Sequence, residues 1–105
     1  MTDKKIVLST AGSREEAQKI AQALVERGLA ACVNVAGPIE SVYRWQGKVE
    51  RATEFLLFIK TTTGRCAEVQ AVIRELHSYE LPECIEVAIE GGSSEYLDWI
   101  AGSVR

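Results

Sequence analysis

Three features of this 105-residue sequence predict an α+β domain built on an antiparallel sheet. Stretches of period-two alternation interleave with stretches of helical periodicity, in the order strand, helix, strand, strand, helix, strand, helix. The two consecutive strands form one long hairpin over residues 39–62, turned by Gln46-Gly47, where glycine supplies the positive φ. Its second arm carries Phe55-Leu56-Leu57-Phe58-Ile59, apolar at every position, so both faces of that strand require cover.

Residues 5–10 read as the first strand, with Ile6 and Leu8 on one face and Val7 on the other. Ala11-Gly12 breaks it. Ser13-Arg14-Glu15-Glu16 fits a capping box, hydroxyl and carboxylate each meeting an orphan N–H. Behind it Ala17, Ile20, Ala21, Leu24 and Val25 recur as a helical stripe, and Gly28 stands where a C′ glycine ends such a helix. Residues 29–35 read as the second strand, with Leu29, Ala31, Val33 and Val35 opposite Ala30, Cys32 and Asn34. Gly37-Pro38 interrupts it before the hairpin arm; proline lacks a ladder donor, so a bulge or bend at a sheet edge is expected. Thr61-Thr62-Thr63-Gly64 starts a second helix, whose stripe is Cys66, Val69, Val72, Ile73 and Leu76. Residues 77–82 are a loop closed by Pro82. Ile85, Val87 and Ile89 alternate with Glu86, Ala88 and Glu90 in a last strand, ended by Gly91-Gly92. Ser93 or Ser94 caps a terminal helix with Tyr96, Leu97, Trp99 and Ile100. The first six elements have the order of a ferredoxin-like βαββαβ domain, helices on one face of the sheet, with one extra C-terminal helix. Residues 1–105 are one domain.

The hairpin is long for such a domain. A strand from residue 48 to 60 spans roughly 40–45 Å at about 3.3 Å per residue. A domain of this size is only about 34 Å across. The arms therefore overhang, exposing backbone edges and the rings of Tyr43 and Trp45. Together with the doubly apolar strand, this predicts a homotrimer or dimer that packs open sheet faces together. Composition is that of an ordinary globular chain, 47% hydrophobic and 26% charged, with net charge −3 and no basic run, which argues against nucleic acid as partner. Three widely spaced cysteines give no disulfide framework and fit a reducing cytoplasm. The first apolar run is too short for a signal peptide, and nothing approaches a membrane span.

Several runs, in order, resemble the CutA divalent-cation tolerance proteins. They are Leu29-Ala30-Ala31-Cys32-Val33-Asn34, Tyr43-Arg44-Trp45-Gln46-Gly47-Lys48, residues 54–61, His77-Ser78-Tyr79-Glu80-Leu81-Pro82-Glu83, and Tyr96-Leu97-Asp98-Trp99, with the helix of residues 17–25. The resemblance implies a ferredoxin-like homotrimer, similar in architecture to PII signalling proteins, with sheets inward and hairpins reaching onto neighbours. It also implies a link to copper and other divalent metals. The family's usual proline is Ser78 here, and the further cysteines of some relatives fall at Ser9 and approximately Val72, so a three-cysteine copper site does not carry over.

The metal candidates are Cys32 as a soft thiolate, His77 as an imidazole and Glu80 beside it, not necessarily at one site. Against Cys32 stands its reading as a small buried hydrophobe, which is the commoner fate of a free cysteine. Against His77 stands the absence of a second histidine or a CxxC. Trp45, Tyr43 and Tyr79 are candidates for an interface or ligand cleft, and Glu54 and Lys60 for its polar lining. Cys66 shares the second helix's apolar stripe and reads as core; Cys84 has no evident role. No four ligands form a closed set, so metal is not expected to be needed for folding.

No Ser-His-Asp order, HExxH, P-loop or GxGxxG is present, so the chain reads as non-enzymatic. The expectation is a cytoplasmic trimer that binds divalent metal or a small ligand between subunits. A small acylphosphatase-like phosphohydrolase is the alternative, with Arg14 in Ala11-Gly12-Ser13-Arg14 as anion anchor. A purely structural trimer is a third.

Overall fold

A computed structural model describes residues 2–105. Strand β1 (Lys4–Ala11) leads into helix α1 (Arg14–Glu26); β2 (Cys32–Trp45) and β3 (Lys48–Thr62) form the hairpin. A 3-10 turn (Thr63–Arg65) opens α2 (Cys66–Leu76), followed by β4 (Ile85–Ala88) and α3 (Ser94–Ser103). The sheet is antiparallel throughout, in the order β2-β3-β1-β4, which is the ferredoxin-like arrangement.

Helix α1 begins as its cap requires, the Glu16 N–H donating to Ser13 Oγ at 3.1 Å. The capping box is only half made. The Glu16 carboxylate turns instead to Ser78 Oγ at 3.1 Å and His77 Nδ1 at 3.3 Å. At the other end Gly28 takes φ +73° and the Leu29 N–H reaches back to the Leu24 carbonyl.

Residues 29–31 are not strand. They carry the chain from α1 to the sheet edge, buried at Leu29 and Ala30, with the Ala31 N–H on the Lys60 carbonyl. Strand β2 then runs unbroken through Gly37-Pro38. The ladder shifts register between Ala36 and Ile39, a bulge on the edge strand where proline costs no pairing. Gln46 at φ 50° and Gly47 at φ 80° make the hairpin's two-residue turn, and the molecule measures 44 Å along its longest axis against 25 and 22 Å across. The arms overhang as their length requires.

Cross-strand partners share a face, so the register sorts the sheet. Val7, Leu57 and Ile59 are fully buried under α1 and α2, packed with Ile20, Leu24, Val69 and Ile73. The opposite face carries Ile6, Leu8, Cys32, Phe58 and Lys60, and on β4 Ile85 and Val87, both exposed. Helix α3 lies on this second face: Lys60 Nζ donates to Tyr96 Oη at 3.4 Å, and Ile100 is fully buried outside the α1–α2 core cluster. It covers one end of that face and leaves Ile85 exposed. The Phe55–Ile59 run is thus sealed on one side and half covered on the other.

Within the core, Ser9 Oγ is buried without a hydrogen-bond partner among the described residues. An unpaired buried hydroxyl costs about 1–3 kcal/mol. Ser9→Ala is therefore expected to raise the chemical-denaturation midpoint, by about 1 kcal/mol of stability. A loss of stability instead would show that the hydroxyl is satisfied.

Candidate functional site

A concavity of about 700 Å³ opens where the hairpin meets the loop after α2. The hairpin contributes Tyr43, Trp45 and Glu54; the loop contributes Tyr79, Glu80 and Glu83; Thr10 and Ser41 also line it. Among the described residues no lysine, arginine or histidine lines the cavity.

His77 builds this site without facing it. Its side chain is fully buried. The Tyr79 N–H can only donate, so Nδ1 accepts it at 3.1 Å, and Nε2 then carries the proton toward the Thr10 carbonyl at 2.6 Å. The imidazole thus ties the loop to the end of β1, and its ring packs on Tyr79 with centroids 4.6 Å apart. Tyr79 is aimed across the cleft, and its hydroxyl donates to Glu54 Oε2 at 2.8 Å. Close approach to Gly12 is part of that aim, since a Cβ there would lie 3.0 Å from the Tyr79 oxygen.

The electrostatics are one-sided. Glu54 is only 7% exposed and enters no ion pair among the described residues. Burial, then the hydrogen bond to the Glu54 carboxylate and its charge, push the Tyr79 phenol up, so it remains a donor at neutral pH. Burial, then the Glu54 charge, likewise push the Glu83 carboxyl above its usual value. Two carboxylates share a partly dry cleft without a compensating cation. Because Glu83 titrates higher in the folded chain than unfolded, its ionised form destabilises the fold above that raised pKa. Glu83→Gln is expected to raise the melting temperature at neutral pH. The gain should shrink as pH falls through the raised value and vanish below the ordinary carboxylate value, where the wild type is protonated both folded and unfolded. A gain independent of pH would remove the electrostatic explanation.

The predicted site residues separate. Tyr43, Trp45, Glu54, Tyr79 and Glu80 meet in the cleft. Lys60 does not; it lies six residues up β3 from Glu54, roughly 20 Å away along the strand, beside α3. Cys32 is opposite Lys60 on the partly open sheet face, its Sγ 3.8 Å from Asn34 Oδ1. His77 has both nitrogens engaged, so it fastens the loop behind the cleft wall and does not itself line the cavity. No three His, Cys, Asp or Glu side chains among the described residues converge as a metal cage. Cys66 is core, its thiol pushed up to about 11 chiefly by burial, and Arg14 lies over the Phe55 ring at 4.8 Å rather than in a phosphate cradle. Glu83 is the acidic lining residue that sequence reasoning did not single out, although it ends the run 77–83; an acidic residue directly after Pro82 was the available signal.

For a cation, this donor set is oxygen-rich. Carboxylates and hydroxyls suit a hard divalent ion that keeps part of its water shell, and suit a soft ion such as Cu(I) poorly.

Comparison with known proteins gives a consistent result. A family model described as CutA1 divalent ion tolerance protein matches residues 5–103. A divalent-cation tolerance protein CutA from Thermus thermophilus is 46% identical over 96 residues, covering 91% of this chain and 93% of that one. Its counterpart from Archaeoglobus fulgidus is 47% identical with the same coverage. Among solved structures, CutA from Xylella fastidiosa superposes with TM-score 0.96 at 38% identity, over 99% of this chain and 100% of that one. CutA from Synechococcus elongatus gives 0.93 at 41% identity, over 100% and 93%.

Proposed function

Because this chain belongs to the CutA1 divalent ion tolerance protein family, we propose that it serves divalent-cation tolerance as a non-enzymatic homotrimer that takes cations at the cleft between hairpin and loop. One observation carries the reading: among the described residues the cleft presents Glu54, Glu80 and Glu83 and no basic side chain. Such a lining repels phosphates and attracts cations, so the cleft does not favour the phosphohydrolase alternative. Glu54 and Glu83 would hold the ion, with water completing its shell. Assembly is supported by the uncovered part of the second sheet face and by the exposed apolar residues Val42, Tyr43 and Val49 on the overhanging hairpin. The three free cysteines support a reducing compartment, the cytoplasm.

Calorimetric titration of manganese, zinc and copper salts tests the cation reading. Glu54→Gln and Glu83→Gln should each weaken the binding of manganese and zinc about tenfold or more, the scale of losing a charged ligand. Cys32→Ser and His77→Gln should leave it near wild type. Binding indifferent to both glutamates but lost with Cys32→Ser would move the site to the thiol. The fold should survive chelation, since no closed metal cage holds it together.

A further inference from the structure

His77 is held by an arrangement that suits only its neutral form. It is the chain's one histidine, and its side chain is fully buried within its own chain. The Tyr79 N–H donates to Nδ1, so that nitrogen carries a lone pair and the ring's proton sits on Nε2. Glu16 Oε1 stands 3.3 Å from the same Nδ1 and accepts from Ser78 Oγ at 3.1 Å. Two acceptors therefore face each other with no hydrogen between them. The Glu16 side chain is only 19% exposed, so a partner for the charged ring is already in place and weakly screened. Few other groups come within hydrogen-bonding or ion-pairing reach of His77. Strand β1 offers the Thr10 carbonyl, and α2 offers the Ile73 carbonyl, which takes the His77 main-chain N–H. Among the described residues no lysine or arginine pairs with Glu16. From β3, Glu54 reaches Tyr79 rather than the imidazole. The Tyr79 phenol is pushed up by burial and then by Glu54, so it stays protonated wherever an imidazole titrates.

We propose that His77 is a proton switch on the loop of residues 77–83. A proton taken up from solvent adds to the lone pair of Nδ1, and the new N–H donates to the Glu16 carboxylate. The bond from the Tyr79 N–H is lost in the same step, because both ring nitrogens are then donors. Nε2 donates to the Thr10 carbonyl in either state, so the ring keeps its place on β1 while its other partner changes. The fastening passes from the loop's main chain to the first turn of α1, where Glu16 lies. Tyr79 is then left with its hydroxyl bond to Glu54, and the loop loosens against the hairpin. Imidazole is the side chain whose charge ordinarily changes between about pH 5 and 8, which sets the range over which the switch is sought. Every partner belongs to one chain and the ring is buried there, so the device depends neither on assembly nor on what the cleft holds.

The test is nitrogen-15 NMR of the full-length protein labelled at histidine, which reports one ring, with hydrogen exchange of the Tyr79 amide over about pH 8 to 5. At the upper end Nε2 should carry the proton and Nδ1 should not. On acidification Nδ1 should gain its proton in one step. Protection of the Tyr79 amide should fall about tenfold with the same midpoint, the scale of one hydrogen bond lost. Glu16→Gln keeps an acceptor for Ser78 and removes the charge. It should lower the midpoint by about one pH unit and leave the neutral tautomer as it is in wild type. Circular dichroism establishes that the variant is folded, and the wild-type titration stands without it. A proton on Nδ1 at the upper end would overturn the switch. So would a ring that stays neutral to the lower end, or a chain that unfolds before the ring titrates. A midpoint indifferent to Glu16→Gln, or a titration that leaves the Tyr79 amide equally protected, would overturn it as well.

Discussion

His77→Ala should cost about 2–4 kcal/mol of folding stability, the range for removing a buried side chain together with its hydrogen bonds. The ring is fully buried, and its loss would strand the Thr10 carbonyl and the Tyr79 N–H at once. A cavity would remain beneath Tyr79, and the loop that forms one wall of the cleft would lose its fastening to β1. Urea denaturation is the measurement. His77→Gln, which keeps a donor and an acceptor, should recover part of the loss. A variant as stable as wild type but unable to bind metal would show that His77 is a ligand after all, contrary to the geometry of its two nitrogens.

Trp45→Ala is expected to have the second largest effect, on assembly. Trp45 ends β2 beside the hairpin turn, 37% exposed, with Tyr43, Val42 and Val49 exposed on the same overhang. An apolar, aromatic arm of this length is stabilised when a second copy covers it. Buried aromatic anchors of interfaces typically cost about 2 kcal/mol or more on truncation, which is roughly thirtyfold in a dissociation constant. Light scattering on serial dilution should therefore show the variant dissociating at concentrations where wild type remains assembled. Unchanged dissociation and an unchanged melting curve would reduce Trp45 to a wall of the cleft.

Much of the fold was legible because periodicity reports burial directly. The stripes ending at Val25 and Leu76 and the alternation about Val7 give the helices and the first strand, although Val25 itself is exposed, and Gln46-Gly47 gives the hairpin turn. Residues 29–31 misled for a physical reason: Leu29 and Ala30 are buried in a connection, and burial alone reads the same in a connection as in a strand. The second face of the sheet was only partly legible, since α3 covers one end of it and its helical stripe does not say which face it meets.

The site was less legible than the fold. Glu54 and Lys60 look alike as charges on one strand, but Tyr79, arriving from 25 residues further along, buries and bonds only the first. His77 offered its type and nothing about its partners. Its acceptor lies 67 residues away on β1, and that contact fastens the loop to the strand.

The most direct test of a cation site at the cleft is a crystal soaked in a manganese or zinc salt and measured at the metal's absorption edge. The anomalous map should show a peak between the carboxylates of Glu54 and Glu83, on the hairpin side of Tyr79. A peak at Cys32 with none in the cleft, or no peak at all at saturating metal, would contradict it.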